Sequence, residues 1–247
     1  MSELRKTSEY IVEKLLPEVR KGRMLILVDD QDRENEGDLF VAAERATPDA
    51  INFMATHARG LVSLALTESR MRELGLALIT DEQGNQSKFG TAFATPIDAR
   101  EGVGSGMSAH DRARTIAVAI AEGTRPGDLI RPGRLQTLRA VDGGVLARRG
   151  HTEAAVDLAR MAGLKPAGVI CEIMNDDGTM ARMPELEKFA ARHDVRIVRI
   201  ADLVEYRRHE HVVRRRAATA LPTRMAGSWR LIVYSDDLET ALYVVLV

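Results

Sequence analysis

The stretch Ile26-Leu27-Val28-Asp29-Asp30-Gln31-Asp32-Arg33-Glu34-Asn35-Glu36-Gly37-Asp38 runs from an apolar strand into a loop that carries six carboxylates in ten residues. Mutual repulsion makes that density of negative charge costly unless a cation or a chemical task offsets it. The loop therefore reads as a site, with a solvated acidic turn as the plainer alternative. Outward from it, helical and strand patterns alternate along the chain, which argues for a layered α/β arrangement.

The periodicity predicts helices over Ser8 to Val19, Asp49 to Ala58 and Glu68 to Leu74, and strands over Met24 to Val28 and Leu61 to Leu66. Ser108-Ala109-His110-Asp111 reads as a cap for a helix running to Glu122, ended by Gly123 and Pro126. Gly163 and Pro166 stop a further helix before a strand over Gly168 to Ile173, Pro184 starts a helix over Glu185 to His193, and Val195 to Ile200 reads as a strand. This half has a βαβ rhythm.

A second dense segment is Arg148-Arg149-Gly150-His151-Thr152-Glu153, where Thr152 can cap the helix marked by Ala155, Val156, Leu158, Ala159 and Ala162. Flanking arginines suit an anion. His151 with a carboxylate of the acidic loop would make a sparse, hard cation site with positions left for a hydroxylated substrate, although a lone histidine is more often structural. Glu101-Gly102-Val103-Gly104-Ser105-Gly106-Met107-Ser108 is a glycine-rich turn before a capped helix, suited to phosphate or to a plain loop, and it matches neither dinucleotide nor P-loop patterns.

Composition narrows the class. The chain has 247 residues, 45% of them hydrophobic, enough for one large domain and an appendage. A net charge of −1 gives no electrostatic case for nucleic acid or an acidic membrane surface. No apolar run approaches the roughly 18 residues that span a bilayer, and Met1 to Lys21 is charged and amphipathic, so a cytoplasmic location is the default. The single Cys171 excludes an internal disulfide and a multi-cysteine zinc site, and its place in the apolar run Gly168 to Ile173 predicts buried packing.

Together the two dense segments resemble the 3,4-dihydroxy-2-butanone 4-phosphate synthase family of riboflavin biosynthesis. The likeness runs from about Tyr10 to Arg207, through Ala42-Ala43-Glu44, Thr91-Ala92-Phe93, Asp111-Arg112-Ala113, Gly143-Gly144-Val145-Leu146, Gly150-His151-Thr152-Glu153-Ala154, Pro166 to Glu172 and Asn175-Asp176-Asp177-Gly178. It implies a mixed sheet flanked by helices, an α/β (α+β) fold, and a homodimer with its site near the subunit interface. It also implies a magnesium-dependent conversion, with manganese as the alternative ion, of the sugar phosphate ribulose 5-phosphate into 3,4-dihydroxy-2-butanone 4-phosphate and formate. On this resemblance Glu34 and His151 match metal ligands. Arg33, Glu34, Asp38, Ser105, Arg148, Arg149, Gly150, His151, Thr152 and Glu172 match substrate-binding positions, with the arginines and Thr152 suited to the phosphate. Glu172, Asp38 and Arg134 occupy the positions expected to carry catalysis.

The departures from the family pattern are local. Where it has Pro-Gly-His-Val-Phe-Pro-Leu this chain has Pro132-Gly133-Arg134-Leu135-Gln136-Thr137-Leu138, so a histidine position holds Arg134. A guanidinium donates hydrogen bonds but does not accept and return a proton as imidazole does. Ser63 stands where cysteine is common, Ala94-Thr95-Pro96 where Thr-Val-Ser is common, and Ser105-Gly106 where Thr-Gly is usual. Beyond a synthase domain over 1–207, residues 208–247 read as a linker followed by a truncated segment similar to the opening strand of GTP cyclohydrolase II. With no residues for that enzyme's zinc cysteines, the segment is expected to be noncatalytic. Leu231 to Tyr234 and Ala241 to Val247 read as strands around Ser235-Asp236-Asp237, and Arg214-Arg215-Arg216 as solvated linker. Three functions follow: the family's reaction, altered or partial chemistry on a related sugar phosphate in a secondary pathway, and a noncatalytic regulatory homologue.

Overall fold

β1 (Leu25–Val28) is an unbroken buried apolar run, and the acidic loop turns the chain back so that β2 (Gly37–Ala42) pairs antiparallel with it, from Leu25 against Phe40 to Val28 against Gly37. A computed structural model describes residues 10–81, 83–210, 214–223, 227–235 and 242–247. Its remaining strands are β3 (Ser63–Thr67), β4 (Ala92–Ala99), β5 (Leu129–Ala140), β6 (Ala167–Glu172), β7 (Arg196–Arg199), β8 (Arg214–Thr223), β9 (Gly227–Ser235) and β10 (Leu242–Leu246). The first seven form one mixed sheet in the order β4-β5-β3-β6-β2-β1-β7, with β1 and β7 parallel, β3 and β5 parallel, and every other neighbouring pair antiparallel.

Helices α1 (Leu16–Arg20), α2 (Pro48–Phe53), α3 (Glu68–Glu73), α4 (Ala109–Ile120), α5 (His151–Met161), α6 (Met183–His193) and α7 (Ile200–Glu210) complete the layers. One core joins Leu39, Val41, Leu64, Leu66, Val169 and Cys171 of the sheet to Ile51 and Met54 near α2, Ile116 and Ala119 of α4, and Leu186 of α6. α5 is different: every residue from His151 to Ala159 is buried, as expected of a helix enclosed on all sides. It lies so close to the sheet that a Cβ on Gly168 would stand 2.7 Å from Phe40 and 2.8 Å from Ala155. Phe40 is fully buried, a contribution of about 1.5–3 kcal/mol. This packing fixes the N-terminus of α5 over β2 and β6, where the carboxylates lie.

The layered mixed sheet agrees with the α/β expectation, and several local expectations need correction. The first helix is a wide turn over Tyr10–Leu15 followed by α1, with Ser8 and Glu9 outside the described residues, and the second is α2 followed by a wide turn over Met54–Ala58. β2, β4 and β5 had no counterpart in the sequence reading. β2 opens with Gly37 and Asp38 and was hidden by the charge run. β4 and β5 contain Pro96 and Pro132-Gly133, which usually argue against strand, and their pairing absorbs these through register shifts between Ala94 and Ile97 and between Ile97 and Asp98. Pro132 to Leu138 thus lies within a strand. Gly150 occupies the N-cap of α5 with no side-chain cap bond, so Thr152 lies inside the helix and does not cap it.

Residues 205–247 make a separate compact unit from residues 1–204. β8, β9 and β10 form an antiparallel sheet in which Leu231 pairs with Leu246 and with Thr219. Arg214, Arg215 and Arg216, read as linker, belong to β8. Ala241, Asp236 and Asp237 lie outside the described residues. Among the described residues, no helix is long and apolar enough to cross a membrane.

Candidate active site

Asp29 organises the acidic loop. Its side chain is fully buried. One oxygen accepts from Arg33 Nη1 at 2.6 Å and from the Glu34 N–H at 3.0 Å, and the other accepts from the Glu36 N–H at 2.9 Å. Arg33 also reaches Glu34 Oε2 at 3.0 Å. The repulsion that makes the sequence look costly is therefore offset within the loop by one arginine and by backbone dipoles.

From α5, His151 comes down onto this loop, with Nδ1 3.5 Å from Glu34 Oε2 and Nε2 3.8 Å from Asp38 Oδ1. Burial works against the imidazolium, but Asp38, Glu34 and Asp29 outweigh it and push His151 up to about 9. The same imidazole holds Glu34 below the usual carboxylate range. Burial raises Asp38 to about 7 and raises Glu36 as well. Glu34, Glu36 and Asp38 thus share one pocket with unequal proton affinities, the environment in which acid and base roles separate.

Glu172 faces Asp38 across the β2–β6 ladder. Its Oε2 accepts the Leu61 N–H at 2.8 Å, and Gly60 allows that approach: a Cβ there would stand 2.3 Å from the Glu172 carbonyl oxygen and 2.6 Å from Oε2. Cys171 points to the opposite face, buried near Met54, and burial pushes its thiol up to about 12, so it is packing and not a nucleophile. Ser63 is buried and bonds Leu61 O at 3.1 Å.

Glu34, Glu36, Asp38, His151 and Glu172 line a cleft of about 270 Å³, together with Arg33, Ser63, Arg148 and Thr152 and with the segment from Ser87 to Phe93. The 87–93 wall had no assigned role in the sequence reading, although a polar segment between Gly84 and Gly90 is a signal for a built loop. A larger cavity of about 450 Å³ near Arg70 and Lys165 contains none of these residues.

The residues expected at the site divide. Arg33, Glu34, Asp38, Arg148, His151, Thr152 and Glu172 line the cleft. Arg148 is turned into the fold, donating to Glu153 at 2.5 Å, Thr91 Oγ1 at 3.0 Å and Phe89 O at 3.1 Å. Gly150 leaves room for that guanidinium, since a Cβ would meet Arg148 Nη1 at 2.2 Å. Arg149 is half exposed, 3.8 Å from Asp30. Ser105 and Arg134 are not among the lining residues. Arg134 binds Asp98 through its backbone N–H and through Nη1, each at 3.0 Å, and Gly106, beside Ser105, packs on the same carboxylate.

A hard divalent cation fits the donor set. Asp29, Glu34 and His151 present ligand atoms within 4.8 Å of one another, and the buried Nε2 of His151 has no hydrogen-bond partner among the described residues. Asp29 is occupied by three donors, which leaves Glu34, shared with Arg33 at 3.0 Å, and His151 as the candidate ligands.

A family model for 3,4-dihydroxy-2-butanone 4-phosphate synthase matches residues 13–206. The 3,4-dihydroxy-2-butanone 4-phosphate synthase of Pseudomonas aeruginosa is 52% identical over 236 residues, covering 95% of this chain and 64% of that protein. The riboflavin biosynthesis protein RibBA of Aquifex aeolicus is 53% identical over 241 residues, covering 96% and 59%. The chain thus spans roughly three fifths of the length of these curated relatives. Among solved structures, RibBX, a two-domain 3,4-dihydroxy-2-butanone 4-phosphate synthase from A. baumannii, is 46% identical with a TM-score of 0.82, covering 96% of this chain and 69% of that one. A synthase solved with two magnesium ions is 36% identical with a TM-score of 0.76, covering 81% and 97%.

Proposed function

Because the chain belongs to the 3,4-dihydroxy-2-butanone 4-phosphate synthase family, we propose that its cleft converts ribulose 5-phosphate into 3,4-dihydroxy-2-butanone 4-phosphate and formate. The observation that carries this reading is the convergence of Glu34, Asp38, His151 and Glu172 on one cleft. Enolisation beside a ketone needs a placed base, and the later skeletal shift and deformylation need protons moved without loss of the phosphate. Asp38, raised to about 7 by burial, holds and releases a proton near neutral pH. Glu172, fixed by the Leu61 N–H, stands opposite it as the partner. Magnesium, or manganese, held by Glu34 and His151 would stabilise negative charge on the enediolate oxygens. Arg33 orients Glu34 and faces the same space.

A second reading, altered chemistry that stops short of formate, is favoured by Arg134. Paired with Asp98 and always protonated, it cannot shuttle a proton. The family's homodimer is part of the proposal, with a second copy approaching the cleft, as are a cytoplasmic setting and a noncatalytic role for residues 208–247. Carbon-labelled ribulose 5-phosphate with magnesium, followed by carbon NMR beside Arg134→His, tests both readings. Formate and the four-carbon phosphate from the native chain support the first; consumption without formate that Arg134→His restores to formate release supports the second. Absence of consumption by either chain removes both.

A further inference from the structure

We propose that His57 and His193 form a second metal site, one that takes a borderline divalent transition metal of the zinc class through its two imidazoles. His57 lies in the wide turn Met54–Ala58 and His193 is the last residue of α6. Their ring centroids are 4.7 Å apart, with the planes tilted by 46°. Two imidazoles on one tetrahedral ion, with metal–nitrogen bonds of about 2.0–2.1 Å, bring their centroids to about 5 Å, so the pair already stands near the separation that a shared ion requires.

The rings are braced from both elements. Phe53 packs against His57 at 4.6 Å and edge-on against His193 at 5.2 Å, and Phe189 meets His193 at 4.5 Å, all between centroids. Neither imidazole has a hydrogen bond or an ion pair among the described residues. His57 is exposed and His193 half-buried, so solvent reaches the pair. Burial, His57 and Arg192 together hold His193 below its ordinary value, which leaves a nitrogen lone pair available to a metal at neutral pH.

The surroundings select the ion. The cavity of about 220 Å³ that both histidines line shares no residue with the cleft, and it carries Arg59, Lys188 and Arg192 against Asp176 and Glu185. Asp176 is paired with Arg59 at 3.4 Å, and Glu185 accepts the Arg182 N–H at 3.3 Å. A hard ion such as magnesium needs several oxygen ligands and here meets engaged carboxylates and nearby cations. A borderline ion is bound by neutral imidazole nitrogen and keeps water in its remaining positions. Bound across the pair, it would clamp the 54–58 turn to the end of α6.

The test is a calorimetric zinc titration of the native full chain, His57→Gln and His193→Phe, with excess magnesium present to compete for the cleft. His193→Phe keeps a ring against Phe53 and Phe189 while removing the ligand nitrogen, and His57→Gln alters an exposed position. The native chain is expected to bind zinc at a site that each substitution weakens about 10-fold or more, since even groups behind a metal ligand contribute about 10- to 100-fold in affinity. Zinc bound as tightly by either folded variant as by the native chain, or no zinc bound outside the cleft, would overturn the assignment. Melting curves without zinc verify folding, and if His193→Phe does not fold, His57→Gln alone decides. The outcome does not depend on whether the cleft turns over ribulose 5-phosphate.

Discussion

Replacing Asp29 by alanine should collapse the acidic loop while leaving every proposed ligand and proton carrier in the chain. The carboxylate accepts from Arg33 Nη1 at 2.6 Å, the Glu34 N–H at 3.0 Å and the Glu36 N–H at 2.9 Å, with its own side chain fully buried. Hydrogen bonds to a charged acceptor contribute about 1.5–3 kcal/mol each. Arg33 keeps Glu34 as a partner and water reaches part of the loop, so the net loss is set at about 3 kcal/mol. For a unit of this size that lowers the melting temperature by about 6–12 °C. Because Glu34 loses the contact that fixes its backbone, manganese affinity, read by electron paramagnetic resonance, should fall about 10- to 100-fold. Asp29→Asn keeps one acceptor oxygen and should fall between. An Asp29→Ala protein that melts and binds manganese like the native chain would show that something other than Asp29 shapes the loop.

Three further outcomes are expected. Gly60→Ala places a Cβ 2.3 Å from the Glu172 carbonyl oxygen and 2.6 Å from Oε2, so Glu172 must move; kcat should drop about 10²-fold or more, and an unchanged kcat would separate Glu172 from the chemistry. Arg148→Met strands Glu153, whose side chain is 1% exposed and which keeps, among the described residues, the Val141 N–H at 3.0 Å; a loss of about 3–5 kcal/mol should appear in urea melts, together with faster amide exchange over 87–91. His193 sits below its ordinary value because burial, His57 and Arg192 all disfavour its charge. Its folded pKa is depressed, so its contribution is present above the unfolded value of about 6.5 and is lost as pH falls through the folded value. His193→Phe, which keeps a ring against Phe53 and Phe189, should flatten the acid side of the stability profile, checked by melts between pH 7 and pH 5.

The sequence by itself determined the family, the layered α/β class and the two segments that meet in the cleft. Their chemistry is local: six carboxylates in ten residues, and an arginine-flanked glycine and histidine, remain unusual whatever surrounds them. It also placed β1, β3, β6 and the helices between Ser108 and His193, whose periodicity is uninterrupted, but not α7 (Ile200–Glu210). It did not reveal β2, β4 or β5, because glycine, proline and charge obscure the alternation and long-range pairing supplies what propensity lacks.

Only the tertiary structure decided which charged groups answer to which. Arg148 reads from the sequence as suited to a phosphate, and the structure adds that Glu153, Phe89 and Thr91 hold it at the cleft lining. Arg134 reads from the sequence as the replacement for a catalytic side chain, and the structure adds that it pairs with Asp98 at 3.0 Å and is not among the residues lining the cleft. A side chain's charge is written in the sequence, but its role depends on what stands within a few ångströms of it, and that is set by the register of strands distant in the chain.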